Sequence, residues 1–375
     1  KVRRNRAKQK PAYIPSLLLN FAVEKALHSQ VTFTRASAAY YENAAGIWQS
    51  AAINEPRFHH ASGISLGLLV EETRTNNLLF GCDLTNAAWV KVGCTALMDA
   101  VGIEGTANSG STLTATAPAA TCLQTLALAA AARSSSFFLK RKTGSGTVSI
   151  CRNGVAFTDI TAQINSDTFT RVKIENSSVL NPVIGIKLDT TGDEIIVCFA
   201  QDEAGNSTTS PIKTEGVAVA RSADVASITG ADFSSWFNAV EGTFVVSWND
   251  PLNSKGRYLF AAITDATNRI AANINASNIL DGEVIAAGSD SLVSSTPTIS
   301  ISRNTLALAY KANNGAVSVN GAGAAQDSTV TLPASPTSLS IGARPGISTL
   351  NGTISKFVYY SSRLTNANLL TLSAQ

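Results

Sequence analysis

With 375 residues the chain has room for two or three domains, each with its own core, and only 15% of it is charged, at a formal net charge of +3. Ala, Ser, Thr, Gly and Asn dominate, and apolar positions come in short alternating runs, which suits β-sandwiches and argues against long amphipathic helices. No apolar run reaches the roughly 18 residues of a membrane span, so no membrane anchor is expected.

The charge is unevenly placed. "KVRRNRAKQK" puts Lys1, Arg3, Arg4, Arg6, Lys8 and Lys10 in ten residues without an acid, so the remaining 23 of the 29 basic residues are outnumbered by 26 acidic ones. No apolar segment follows this block as it would in a signal peptide. The two prolines of "PAYIPSLLLN" disfavour a helix, and residues 1–20 read as a basic extended arm. Clustered cations could displace counterions from a nucleic acid, but no aromatic residue is interleaved to stack on bases. Docking to another protein surface is the preferred role, and a nucleic-acid partner is not expected.

From 21 to 76 the pieces "VTFTRASAAYY", "GIWQSAAINEPRF" and "ISLGLLVEETRTN" look like strands joined by turns, too few for a complete sandwich. This stretch contains the densest chemistry of the chain, "RFHHASGISLGLLVEETRTNN", where His59 and His60 precede Glu71 and Glu72. Metal-binding histidines on a helix are spaced three or four apart so that they share a face. Consecutive residues on a strand point to opposite faces. The four residues are therefore expected to be turn and surface groups, with no metal, cofactor or catalytic role.

Between 77 and 220, "SFFLKR", "TVSICR", "TFTRVKIE", "PVIGIKL" and "EIIVCFA" alternate with turn clusters such as "TGSG" and "TTGD", which predicts a jelly-roll-like sandwich. Five cysteines (Cys82, Cys94, Cys122, Cys151 and Cys198), odd in number and without a CxxC pair, indicate neither a disulfide framework nor a zinc site. They are expected to be small buried apolar residues. After the link "TEGVAVARSAD", a second β region over 232–375 contains "GTFVVSW", "RYLFAAIT", "RIAANIN", "TISIS", "TLALAYK", "AVSVN", "SLSIG" and "TISKFVYY". The chain closes on "RLTNANLLTLSA", a short helix with Thr365 as its N-cap.

Two candidate sites lie in this last region. Asp281 and Glu283 would share a strand face roughly 7 Å apart, within the range of a glycosidase pair. Gly282 between them reads as a turn instead, and the E-x-D-x-x-E strand of concanavalin-like glucanases is absent, so no enzyme is expected. Trp248 and Tyr258 flank the polar loop "NDPLNSKGR", where Asn249, Asp250, Asn253 and Arg257 could offer hydrogen bonds to sugar hydroxyls while the rings stack on the sugar.

The blocks "TFTRASAAYY", "AAINEPRFHH", "LGLLVEETRTNNLLF" and "NAAWVK" resemble the N-terminal module of a family of bacteriophage virion proteins, the head-spike, head-fibre and tail-fibre proteins. Further on, "FAQDEAGNSTTSPIKTEGVAVARSAD" is similar to the link that follows the family's jelly roll. "LNGTISKFVYYSSRLTNANLLTLSA" resembles the end of its concanavalin A-like, laminin-G-like sandwich. The resemblance runs from about Pro15 to Ser373. It implies an all-β chain with an N-terminal attachment region, a central jelly roll and a C-terminal concanavalin A-like sandwich. It also implies a place on the virion, capsid or other virion proteins as partners, and a homotrimer. A capsid decoration or head-fibre role is expected, with a tail fibre or spike binding host-surface glycans as the alternative.

Overall fold

The computed structural model describes residues 13–249, 256–277, 279–295 and 303–374. Among these the regular structure is almost wholly strand, with short α-helices at Phe21–Glu24, Gly230–Ser234 and Asn366–Ser373. The Asn-rich composition has a backbone cause. Of the twelve non-glycine residues at positive φ among the described residues, six are asparagines: Asn54, Asn108, Asn181, Asn313, Asn320 and Asn351. Asparagine tolerates the left-handed region better than most residues, so it serves where strands must turn tightly.

The described residues divide into two compact units, one comprising those up to Thr32, Leu66–Leu68 and those from Val225 on, the other Phe33–Ser65 and Leu69–Asp224. The separate attachment module expected over 21–76 is therefore not a unit of its own. Its first residues belong to the C-terminal sandwich and most of the rest to the central one. The boundary between the two units falls between Asp224 and Val225, at the end of the link "TEGVAVARSAD".

The central unit is a sandwich of two five-stranded antiparallel sheets. One runs in the order Thr170–Ser178, Ala132–Thr143, Glu194–Ala204, Gly110–Ala115, Cys94–Ala100, and the other Phe157–Asp159, Val148–Cys151, Val183–Leu188, Ala120–Thr125, Val90–Val92. Leu113, Phe137, Leu139, Val172, Ile195 and Val197 of the first sheet meet Cys122, Val148, Ile150, Ile184, Ile186 and Leu188 of the second in one apolar core. The three strands between 94 and 125 are absent from the sequence expectation. Their small, Thr- and Ala-rich side chains give little apolar alternation. Trp89 of "NAAW" is buried in the same core and donates its indole N–H to the Phe80 carbonyl at 3.1 Å. All five cysteines are buried and unpaired, as expected of small core residues.

The C-terminal unit packs two larger sheets. In one, Ala325–Asp327, Gly315–Val319, Arg303–Lys311, Glu241–Asn249 and Gly352–Tyr360 follow in order. The strand Leu17–Leu19 adds to the last of these, with Leu17 opposite Tyr359 and Leu19 opposite Phe357. Leu17, Leu19 and Phe21 are buried. The end of the supposed arm is thus a strand of this sandwich, because its apolar residues alternate toward the core. Gly67 also belongs here. Its φ is +96°, and a Cβ would lie 2.2 Å from the Ile354 carbonyl oxygen, so only glycine allows this approach.

The opposing sheet runs Val225–Thr229, Ser338–Ile341, Arg257–Asp265, Asn268–Ile274, Leu280–Ala286, Ser289–Ser295. Phe244, Phe260, Phe357 and Tyr359 form the aromatic centre of the core between the sheets. Gly282 lies within the Leu280–Ala286 strand, not in a turn. A Cβ there would sit 2.6 Å from Leu308 Cδ1, so its smallness makes room for the facing sheet. The closing helix forms as expected, with Thr365 Oγ1 accepting from the Asn368 N–H at 3.3 Å and Leu369 buried against the sheet. The architecture is the all-β one expected, a jelly-roll-like sandwich in the central unit and a second antiparallel β-sandwich in the C-terminal unit. No helix among the described residues is long and apolar enough to cross a membrane.

Candidate functional site

The stretch with the two histidines and two glutamates is largely interior. Glu71, read from sequence as a surface residue, is 3% exposed, because its carboxylate faces the guanidinium groups of Arg57 and Arg221 at 2.8 and 3.0 Å. Arg57 also binds Asp224, which Arg35, just past the strand Thr32–Thr34, meets at 3.1 Å. Three guanidiniums thus face two carboxylates, all out of water. The surplus positive charge is spread over carbonyl oxygens: Arg35 donates to Ser37 and Ala52, Arg57 to Tyr40, and Arg221 to Glu72. Ser210 completes the cluster, its N–H and hydroxyl each donating to Glu71 at 2.6 Å. Burial alone would push the Glu71 carboxyl up, but Arg221, Arg57 and Ser210 outweigh it and hold it at about 2.

These residues come from the blocks that carry the virion-protein resemblance. Arg35 lies in "TFTRAS", Arg57 in "PRF", Glu71 in "LVEE", Ser210 in "TTSPI", and Arg221 and Asp224 in "ARSAD". The signal available in the sequence was a set of charged residues inside apolar strand patterns in a chain with few charges. Such residues are seldom fully buried unless paired.

The histidines play supporting parts. His59 accepts the Glu42 backbone N–H through Nδ1 at 3.1 Å, and His60 is buried with its Nδ1 3.1 Å from the Phe58 carbonyl oxygen. Burial lowers the His59 imidazole to about 4. Among the described residues no group of three His, Cys, Asp or Glu side chains could hold a metal ion.

In the C-terminal unit the expected glycan residues separate. Trp248, expected to be an exposed stacking platform, is fully buried, because it faces the core of its sheet. Asn249 is also buried and reaches Thr353. Asp250 and Asn253 lie outside the described residues, as do Lys1, Arg3, Arg4, Arg6, Lys8 and Lys10 of the arm. Arg257 donates to the Thr349 carbonyl. Tyr258, 8% exposed, is turned onto the outer face of the second sheet.

There it meets a polar cluster. Tyr258, Asn273 and Asp281 are register partners across three strands, and Glu283 follows Asp281 on the same face. The Glu283 carboxylate accepts from Arg269 Nε at 2.8 Å, Asn273 Nδ2 at 2.6 Å and the Tyr258 hydroxyl at 3.2 Å. Arg344 donates to the Tyr258 hydroxyl at 3.1 Å and stacks 5.5 Å over its ring. Asp281 receives the Asn275 amide at 2.7 Å on one oxygen. Asp281 and Glu283 do share a face, but Glu283 is bonded on both oxygens, which suits a fixed anchor more than a proton carrier.

No family model and no curated protein matches the chain. Among solved structures, the leech intramolecular trans-sialidase is 15% identical over 38% of this chain and 25% of its own, at a TM-score of 0.33. The chain therefore spans well under two thirds of that enzyme. The native heptameric SAP-like pentraxin from Limulus polyphemus is 14% identical over 36% of this chain and 70% of its own, at 0.29. Domain 4 of a Geobacillus stearothermophilus extracellular arabinanase, in complex with arabinotriose, is 12% identical over 45% and 83%, at 0.34. Likenesses of this size do not bear on function.

Proposed function

We propose that this chain is a structural protein of a bacteriophage particle, a head-fibre or capsid-decoration component without catalytic activity. Its N-terminal region docks to other virion proteins, and its sandwiches are displayed outward, in a homotrimer. The observation that supports this reading is the destination of the resembling blocks. Segments up to 189 residues apart each contribute a charged group to one buried cluster, as Arg35 and Asp224 do. Short chance matches would not be expected to meet in one fold determinant. The resemblance is therefore one of architecture, which supports the virion reading.

Mass spectrometry of purified particles tests the proposal. The chain should be present in a fixed ratio to the major capsid protein, and images of the particle should show both sandwiches projecting from its surface. Its absence from purified particles would overturn the reading. A tail fibre or spike that binds host glycans is the second reading, favoured by the polar cluster around Glu283.

A further inference from the structure

We infer that the loop Leu84–Trp89 of the central unit is a binding site for a monovalent cation of ammonium or potassium size, filled from within the chain by the ammonium of Lys91. This goes beyond the structural role proposed above and does not rest on it.

The first sign is an inverted strand. In Val90–Val92 the two valines are 61% and 62% exposed, whereas Lys91 between them stands in register with Cys122, Ile186 and Ile150, whose side chains line the apolar core. Alternation alone would turn the valines inward and the lysine out. What holds the lysine is a cage of backbone carbonyls. Its Nζ lies 2.8 Å from the Leu84 oxygen, 3.3 Å from that of Thr85, 3.1 Å from that of Asn86 and 2.8 Å from that of Trp89. The loop's N–H groups are bonded elsewhere: Leu84 to Ser111 Oγ, Thr85 to Asp83 Oδ1, Ala88 to Asn86 Oδ1 and Trp89 to the Asn86 carbonyl. Those bonds fix the turn that makes its carbonyl oxygens converge.

Four acceptors outnumber the three N–H donors of an ammonium. The cage therefore answers to a positive charge more than to directed hydrogen bonds, and a spherical ion would serve all four oxygens at once. Backbone carbonyls replace the hydration shell of potassium in this way, and potassium matches ammonium in size. A divalent ion fits less well. Calcium and magnesium sites draw on carboxylates, and all four ligands of this cage are neutral carbonyls.

The test empties the cage in the whole chain and offers it ions. Lys91→Ala removes the ammonium, and Lys91→Thr does the same while keeping a residue that favours strands. In choline chloride, whose cation is too large for the cage, both variants should melt below the intact chain by about 4 °C or more. Replacing choline by potassium or ammonium at constant ionic strength should raise both midpoints along a saturating curve and leave that of the intact chain unchanged. Identical melting of the variants in choline, potassium and ammonium would overturn the site, as would an equal rise in the intact chain. Should both variants stay unfolded in all three salts, the site is overturned as well, because the ions are expected to restore what Lys91 supplied.

Discussion

Arg57 Nη1 and Glu71 Oε2 stand 2.8 Å apart with the arginine side chain wholly out of water and the glutamate nearly so. Fourteen residues separate them, and the Leu69 N–H donates to the Arg57 carbonyl at 2.9 Å, so paired strands present both side chains to one interior. Removing the carboxylate would leave Arg57 and Arg221 charged and buried with too few partners. Truncating one member of such a pair costs about 3–5 kcal/mol.

Glu71→Ala should therefore destabilise the chain by about that amount, read as a fall in the denaturation midpoint. Asp99→Ala is the control. Its partner Lys142 is 39% exposed and its own side chain 44%, so the expected loss is about 1 kcal/mol or less. Equal losses in the two variants would refute the structural role of the cluster.

Much of the fold was legible because strand patterns and turns act locally. "TLALAYK" and "TISKFVYY" alternate and are strands; the Thr365 cap is where its sequence places it. The cluster was not legible, because nothing local marks Arg35 and Asp224 as partners. Side-by-side placement of His59 and His60 correctly argued against a shared face, yet said nothing of how deeply either lies. Trp248 failed for a related reason. Proximity to a polar loop in sequence does not choose the face, and the pleat turned it inward. Gly282 looked like a turn, but it was a strand residue thinned for Leu308.

Stability should fall in two acid windows. His59 accepts a backbone N–H when neutral, and its folded pKa, near 4, lies below the ordinary 6.5. The unfolded chain therefore binds the proton first, and stability is lost as pH falls from about 6.5 to 4. Glu71, held near 2 against an ordinary 4.5, contributes stability that is full above 4.5 and lost as pH falls toward 2. Denaturant melts at pH 7, 5 and 3 should show both steps. His59→Gln should flatten the upper window and leave the lower one. An unchanged upper window would mean that His59 is not the titrating group.

Gly67→Ala should be far worse than Gly256→Ala. Gly67 has φ +96° with Ile354 oxygen 2.2 Å from the Cβ position, whereas Gly256, at φ +67°, has nothing within 4 Å. The second change costs only the left-handed backbone, about 1 kcal/mol. The first adds a backbone clash that strand separation alone can relieve. Thermal melting of the two variants checks the order, and similar melting temperatures would refute the close approach.

The last prediction concerns where the attachment region ends. A deletion through Asn20 would be the natural test of a docking arm, but it removes Leu17–Leu19, which pairs with Gly352–Tyr360 and buries two leucines. Each buried leucine is worth about 1.5–3 kcal/mol. Such a deletion would damage the C-terminal sandwich and mimic an attachment defect. Deleting only residues 1–12 spares the strand while removing all six clustered basic residues. The shorter deletion should therefore melt like the intact chain and yet fail to join particles, whereas the longer one should melt lower. For the same reason a fragment starting at Asp232 lacks Val225–Thr229, the partner of Ser338–Ile341, and should be less stable than one starting at Val225 and joined to residues 13–32. Particle incorporation and melting temperature, measured together on both deletions, separate docking from folding. Normal incorporation of the chain lacking residues 1–12 would remove the basic arm from the attachment machinery.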